Sequence, residues 1–159
     1  MVAQIARLRS RVRPKGEKVN VSSSEFIRTT RLRAMADRSR FTTRFKDQLF
    51  ARDPSLLRIF PAATPARDAA VTAILDGIMA SLDSAAPSGA GTDTLAALLA
   101  DSGLQPRHYG VLGQSLLVAL AAELGPDFTD DVHGAWADAY VRLAETVMAA
   151  RYNRFDLVA

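Results

Sequence analysis

The side chains with the widest chemical repertoire in this chain of 159 residues are its two histidines, His108 and His133. An imidazole can bind a metal ion or move a proton near neutral pH. The composition argues against a structural zinc site, because such sites draw their ligands mainly from cysteine and histidine and the chain has no cysteine. His108 follows Pro106 by two residues, at the start of a predicted helix. We therefore expect an exposed polar residue at this position.

The motifs of common catalytic sites are missing from the sequence. The chain contains no G-x-S-x-G nucleophile motif, no phosphate-binding P-loop and no H-E-x-x-H metal motif. The acidic pair Asp130 and Asp131 falls at the start of a predicted helix, where carboxylates interact favourably with the helix dipole. We therefore expect a protein that is not an enzyme.

Charge is distributed unevenly along the chain. Residues 1–46 hold 13 Lys and Arg against 3 Asp and Glu, a net charge of +10, whereas residues 47–159 carry a net charge of −7. We interpret residues 1–20 as a basic, flexible N-terminal extension that could contact an acidic protein, a lipid surface or a nucleic acid. A solvated tail without a partner is the simpler interpretation, because no aromatic residue is interleaved for base stacking. The cations of this basic arm are Arg7, Arg9, Arg11, Arg13, Lys15 and Lys18.

Apolar residues recur at helical spacing through the rest of the chain, and no segment alternates as a half-buried strand does. We predict one domain over residues 21–152, followed by a C-terminal tail over 153–159. No apolar run reaches the roughly 18–20 residues of a membrane span, and no secretory signal is present, so a cytoplasmic location is expected. The predicted helices cover about 23–36, 38–51, 65–82, 93–101 and 106–125, with a last one capped by Thr129.

Three blocks of sequence resemble bacterial single-domain globins and the globin half of flavohaemoglobins. They are RFKDQLFARDPSLLRIFP (44–61), PRHYGVLGQSLLVAL (106–120) and AWADAYVRLAETV (135–147). The resemblance covers roughly residues 23–150. It implies an all-α globin fold, a three-over-three helical sandwich with haem between two of its helices, and chemistry of oxygen or nitric oxide.

When the family's haem-pocket residues are compared one by one with this chain, the resemblance implies that the apolar positions are retained. Phe60 falls where the family packs a phenylalanine on haem, although a plain core residue fits the pattern equally well. Val71 takes the place of the distal apolar residue, and Tyr109 that of the proximal tyrosine.

The polar positions of the pocket depart from the family. The iron-binding histidine stands seven residues before the proline of the second block, where this chain has Leu99. Lys46 replaces the distal tyrosine, Arg67 replaces the distal glutamine, and Arg151 falls near the proximal glutamate. Haem iron needs an axial donor such as imidazole, thiolate, thioether or phenolate, and leucine has no lone pair.

These substitutions favour a globin-like regulatory, sensor or interaction module without haem or any other cofactor. Packed side chains could fill the former haem pocket, or an anionic amphiphile could pair there with Lys46 and Arg67. Both cations could instead face solvent or pair with Asp47, Asp68 or Asp76. The alternative is a haem-binding globin in which Lys46 or Tyr109 binds the iron, serving oxygen or nitric oxide binding or haem handling.

Oligomerisation is a further implication of the resemblance. Sensor globins often form dimers through their last two helices, so a homodimer through this face is expected as one arrangement. The apolar stripe of the last helix is no wider than one buried face requires, so we expect Trp136, Tyr140 and Leu143 to be core residues.

Overall fold

Six α-helices account for most of the part of the chain that the computed structural model describes, residues 23–82 and 90–156. No strand occurs within these ranges, which confirms the all-α class. The basic arm lies outside the described residues. The helices are α1 (Ser23–Ala34), α2 (Arg38–Arg52), α3 (Thr64–Leu82), α4 (Ala90–Asp101), α5 (Tyr109–Leu124) and α6 (Asp130–Asp156). Short 3-10 turns cover Met35–Asp37, Pro54–Arg58, Pro106–His108 and Gly125–Asp127.

Local side-chain caps explain where several helices begin. The Asp37 carboxylate accepts the backbone N–H of Arg40 at 3.0 Å at the start of α2. The Thr129 hydroxyl accepts the N–H of Val132 at 3.3 Å, which confirms the predicted cap of α6. The far end of α6 differs from the prediction, because the helix continues to Asp156 instead of giving way to a tail at 153. α6 contains no proline, and its one glycine, Gly134, lies near the start of the helix. The sequence therefore has no residue of either type that would end α6 at 153.

Gly103 ends α4 in a left-handed turn. Its φ is +79°, a conformation that costs a residue with a Cβ about 1–2 kcal/mol. The N–H of Leu104 then donates to the carbonyl of Leu99 at 3.0 Å, and the N–H of Gly103 donates to that of Ala100 at the same distance. Leu104 is fully buried, so this turn ties the end of α4 to the core.

The core lies where α6 packs against α1 and α4, and where α5 packs against α2. Trp136 of α6 is fully buried, and its indole N–H donates to the hydroxyl of Thr30 in α1 at 2.9 Å. Tyr140 and Leu143 are buried on the same helix. All three expected core residues of the last helix therefore face the interior of this chain.

Ion pairs between helices neutralise much of the positive charge of residues 23–46. Five Lys and Arg side chains between residues 23 and 46 pair with acidic residues that come later in the described chain. Most of the cations in residues 23–46 therefore lie next to carboxylates from later in the described chain. The pairs are Arg33 with Asp127, Arg38 with Asp76, Arg40 and Arg44 with Glu123, and Lys46 with Asp68.

Glu123 is the most enclosed of these acids. Its side chain is 2% exposed, and its carboxylate accepts hydrogen bonds from Arg40 at 2.7 and 3.0 Å and pairs with the Arg44 Nε at 2.7 Å. The hydrogen bonds from Arg40, supported by the charges of both arginines, lower the pKa of Glu123 below its ordinary value against the opposing effect of burial.

A carboxylate whose pKa is lowered by folding stabilises the fold above its unfolded pKa, near 4.5, and that contribution is lost as the pH falls through the lower folded value. Glu123→Gln is therefore expected to cost about 1 kcal/mol of unfolding free energy at pH 7, because both arginines are largely exposed. The difference from the parent should shrink below pH 4.5 in urea unfolding curves. Asp127→Asn, which breaks the exposed pair with Arg33, is the control and should cost less. A Glu123→Gln difference that stays constant with pH would contradict this account.

Candidate functional site

Leu99 borders a cavity of only about 10 Å³ inside the helical bundle. Its side chain is buried on α4. A cavity of this size holds at most about one water molecule, whereas ligand sites commonly measure roughly 300–1,000 Å³. The wall is apolar apart from two phenol groups. Its residues come from α3 (Ile78), α4 (Leu95, Leu99), α5 (Tyr109, Leu112) and α6 (Tyr140, Leu143, Ala144, Val147).

The small size of the cavity follows from direct contact between α3 and α4. A Cβ placed on Gly77 of α3 would lie 3.0 Å from the Cδ1 of Leu95 and 3.7 Å from the Cδ2 of Leu98, both on α4. The absence of a side chain at Gly77 lets these two leucines reach the backbone of α3. Because α3 follows Phe60 and α4 carries Leu99, these are the two helices that the resemblance places on either side of haem.

Phe60 and Val71 are both core residues. Phe60 is buried and meets the ring of Phe50 edge to face, with ring centres 5.6 Å apart. Val71 is completely buried on α3. Neither residue borders the small cavity, so the structure places them in the core but not around a common site with Leu99.

Lys46 and Arg67 do not face the interior cavity, so the structure differs from the expectation that both would. The ammonium of Lys46 pairs with Asp68 at 2.9 Å, which is one of the alternatives left open by the sequence. Arg67 donates from Nε and Nη2 to the carbonyl oxygens of Pro61 and Ala62, each at 3.0 Å. Each cation thus finds its partner near the surface, where the desolvation penalty is smaller than in the core.

Tyr109 lines the cavity from α5, and Arg151 of α6 bonds next to it. The Nη1 of Arg151 donates to the carbonyl of Leu104 at 2.5 Å and lies 3.3 Å from the Tyr109 hydroxyl. The hydroxyl of Tyr140 donates to the backbone carbonyl of Tyr109 at 2.5 Å. Burial raises the pKa of Tyr140 far above its ordinary value, so this phenol remains protonated.

His108 is buried, so the expectation of an exposed residue is wrong. Only 2% of it is accessible, and its Nδ1 accepts the backbone N–H of Gln105 at 3.0 Å. Burial is the main cause that lowers the pKa of His108, followed by the charge of Arg107, which favours the neutral imidazole. One feature of the sequence could have indicated this role of His108. Gln105 and His108 are three residues apart, which is the spacing of the two residues of a capping box at the start of a helix.

No histidine borders the cavity around Leu99. His133 packs edge to face against Phe128, with ring centres 5.7 Å apart. Within residues 23–82 and 90–156, no group of three or more His, Asp or Glu side chains could hold a metal ion. In the same ranges, none of the helices combines the length and the apolar character needed to cross a bilayer.

The residues around Leu99 do not fit a haem in the arrangement described. Leu95 and Leu99 occupy the space between α3 and α4, and the remaining cavity is smaller than a macrocycle by more than an order of magnitude. The iron donors that line it are the phenols of Tyr109 and Tyr140, and the Tyr140 hydroxyl is already engaged.

In this bundle α3 and α4 follow Phe60 along the chain, and the long helices α5 and α6 complete the core. This is the architecture of a globin. The globin family model matches residues 43–147, and the chain belongs to the globin family. This finding confirms the fold expected from the three sequence blocks.

The similar proteins found by comparison are flavohemoproteins. That of Bacillus subtilis is 26% identical in an alignment of 125 residues that covers 72% of this chain and 30% of that protein. That of Deinococcus radiodurans is 30% identical in an alignment of 118 residues that covers 72% of this chain and 29% of that protein. That of Vibrio cholerae is 32% identical in an alignment of 108 residues that covers 65% of this chain and 27% of that protein. The chain thus spans less than a third of the length of these relatives.

Proposed function

We propose that this chain is a globin-fold regulatory or interaction module that does not bind haem. The observation that carries the proposal is the approach of Leu95 to Gly77, which brings α4 against α3. Binding a haem between these helices would require them to separate and would expose Leu95, Leu98 and Leu99 to a new environment. The cost would include the contacts and the apolar burial that these side chains now make.

The chemistry at Leu99 supports the same proposal. This position is the one that the resemblance gives to the iron ligand, and its side chain offers the iron no electron pair. Lys46 and Arg67, at the two distal positions, are paired elsewhere and do not supply a replacement. For the same reason the proposal does not include a carboxylate amphiphile in the interior, because no cation borders the cavity to receive the carboxylate.

The alternative function is a haem-binding globin with an unusual axial ligand. The observation that favours it is that Tyr109 borders the same cavity as Leu99, and phenolate is an established haem ligand. The similar proteins are named flavohemoproteins, and this name describes proteins that contain haem. This chain could bind oxygen or nitric oxide as a haem protein only if such a ligand held the iron.

Titration of the purified chain with hemin, followed by absorption spectroscopy, separates these functions. The proposal predicts only the broad absorption of unbound hemin, without the sharp Soret band of a stoichiometric complex. A sharp band at equimolar hemin would overturn it. If that band appears, Tyr109→Phe and Lys46→Met identify the ligand by which variant abolishes it.

Two further variants separate the missing ligand from the missing space. Leu99→His supplies an imidazole at the expected position but leaves Leu95 in place, so it is expected to bind hemin no better than the parent. Leu99→His combined with Leu95→Ala also removes the side chain that contacts α3, and it is the variant expected to gain a Soret band. Circular dichroism checks that each variant is folded. Stoichiometric binding by Leu99→His alone would show that space is not limiting.

A further inference from the structure

The basic arm, residues 1–20, carries a row of apolar residues in addition to its cations. Ile5, Leu8 and Val12 follow one another at intervals of three and four residues. Residues with this spacing share one face when a segment is helical. Pro14 would end such a helix, because proline disfavours a helical conformation of the residue before it. The sequence before Pro14 therefore has the pattern of a short amphipathic helix.

Two rows of arginine flank the apolar row in this pattern. Arg7 and Arg11 are four residues apart, and so are Arg9 and Arg13. On a helix, the two pairs would lie on opposite sides of the apolar row. An arginine at the edge of an apolar face can lay its stem along acyl chains while its guanidinium reaches the headgroup phosphates. Helices that lie in the plane of a membrane surface have this arrangement.

The charge of the basic arm is almost entirely positive. Its six Lys and Arg residues are accompanied by a single acid, Glu17. An anionic lipid surface attracts such a segment, and each cation close to the surface adds about fivefold to the binding. A nucleic acid would use the cations but not the apolar row, and base stacking would need aromatic residues, which the arm lacks. An anionic lipid surface is therefore the partner that uses both features of the arm.

The helix that follows the arm presents the same chemistry on its surface. α1 begins at Ser23, and Arg28 and Leu32 are exposed on it one turn apart. Leu32 is 73% exposed, compared with 42% for Leu57, the other exposed leucine of the described ranges. An apolar side chain beside a cation is suited to the boundary between headgroups and acyl chains. Leu32 and Arg28 can therefore extend the surface that the arm begins.

We propose that the basic arm binds an anionic lipid surface as an amphipathic helix, with its apolar row at the acyl chains and its arginines on the headgroup phosphates. Leu32 and Arg28 of α1 meet the same surface, so the globin domain is held against the bilayer. None of these residues borders the interior cavity. The proposal therefore holds whether or not the chain binds haem.

Sedimentation of the full chain with lipid vesicles tests this proposal. Saturable binding is expected to vesicles of phosphatidylglycerol mixed with phosphatidylcholine, and binding at least about tenfold weaker to phosphatidylcholine alone. Hydrogen exchange should show new protection of the amides before Pro14 on the anionic vesicles, because a helix forms there. Equal binding to the neutral vesicles, or no new protection, overturns the proposal. Binding to double-stranded DNA without binding to the vesicles also overturns it and makes the arm a nucleic-acid-binding segment.

An exchange of two arm residues separates the apolar row from charge alone. Leu8→Ser combined with Ser10→Leu keeps the composition and the charge of the chain but moves the leucine to the opposite side of the helix. The affinity for anionic vesicles is expected to fall at least about tenfold, since the apolar row loses its leucine. An exchanged chain that binds like the parent would show that the attachment is purely electrostatic, and the amphipathic helix would be wrong.

Two leucines on the surface of the described chain test the part that α1 plays. Leu32→Ser is expected to weaken binding to anionic vesicles by about threefold or more, because an exposed leucine beside the arm is removed. Leu57→Ser removes an exposed leucine from the turn after α2 and should leave the affinity unchanged. Equal effects of the two substitutions would contradict the contact of α1 with the lipid surface.

Discussion

Replacing Trp136 by alanine is expected to lower the free energy of unfolding by about 3–5 kcal/mol, a typical cost for truncating a large buried aromatic residue. Trp136 is completely buried and joins α6 to α1. The truncation leaves a cavity and deprives the Thr30 hydroxyl of its donor. Because a whole domain is commonly stable by only about 5–15 kcal/mol, a large shift of the urea midpoint should be measured.

Two controls separate burial from hydrogen bonding in this prediction. Tyr152→Ala truncates an aromatic residue that is 70% exposed, and it should change the stability by about 0.5 kcal/mol or less. Thr30→Val keeps the shape of the side chain but removes the hydroxyl that accepts the indole N–H and donates to the carbonyl of Phe26, and its expected cost is about 1–3 kcal/mol. A Trp136→Ala cost as small as that of Tyr152→Ala would show that α6 does not pack on α1 as described.

Replacing Gly77 by leucine is expected to destabilise the fold by about 3 kcal/mol, at the upper end of the usual cost of overpacking. Even a Cβ at this position would approach Leu95 to 3.0 Å, so the longer side chain must push α4 away from α3. Thermal or urea unfolding measures the loss.

Gly91 provides the matched control for this substitution. It also lies in a helix, α4, but a Cβ there would meet no atom within 4 Å. Gly91→Leu is therefore expected to be neutral or to stabilise the fold by up to about 1 kcal/mol through its better helix propensity. If both substitutions have the same effect, the contact between α3 and α4 does not limit the size of residue 77.

The local features of the fold could be predicted from the sequence because they depend on neighbouring residues. The periodic apolar pattern predicted every helix in the described ranges, and Thr129 marked the start of α6. The prediction erred at the end of α6 and at the start of α4, which begins at Ala90 instead of 93. Helix ends are set by small differences in capping and packing, so these errors are of the usual kind.

The candidate site could be predicted only in part, because its geometry depends on contacts distant in sequence. The resemblance drew attention to Leu99 and Tyr109, and both border the cavity. Asp68 was one of three acidic partners that the sequence left open for Lys46, and only the structure shows that this pair forms. The contact of Gly77 with Leu95 was missed, although a glycine inside a helical pattern often marks close packing.

The central claim is that α3 and α4 touch at Gly77 and leave no room for haem, and nuclear Overhauser contacts test it most directly. The account predicts a strong contact between the Hα protons of Gly77 and a methyl group of Leu95 in the purified chain. The contact should remain after an equimolar amount of hemin is added. Its absence from the purified chain, or its loss on adding hemin, would contradict the account.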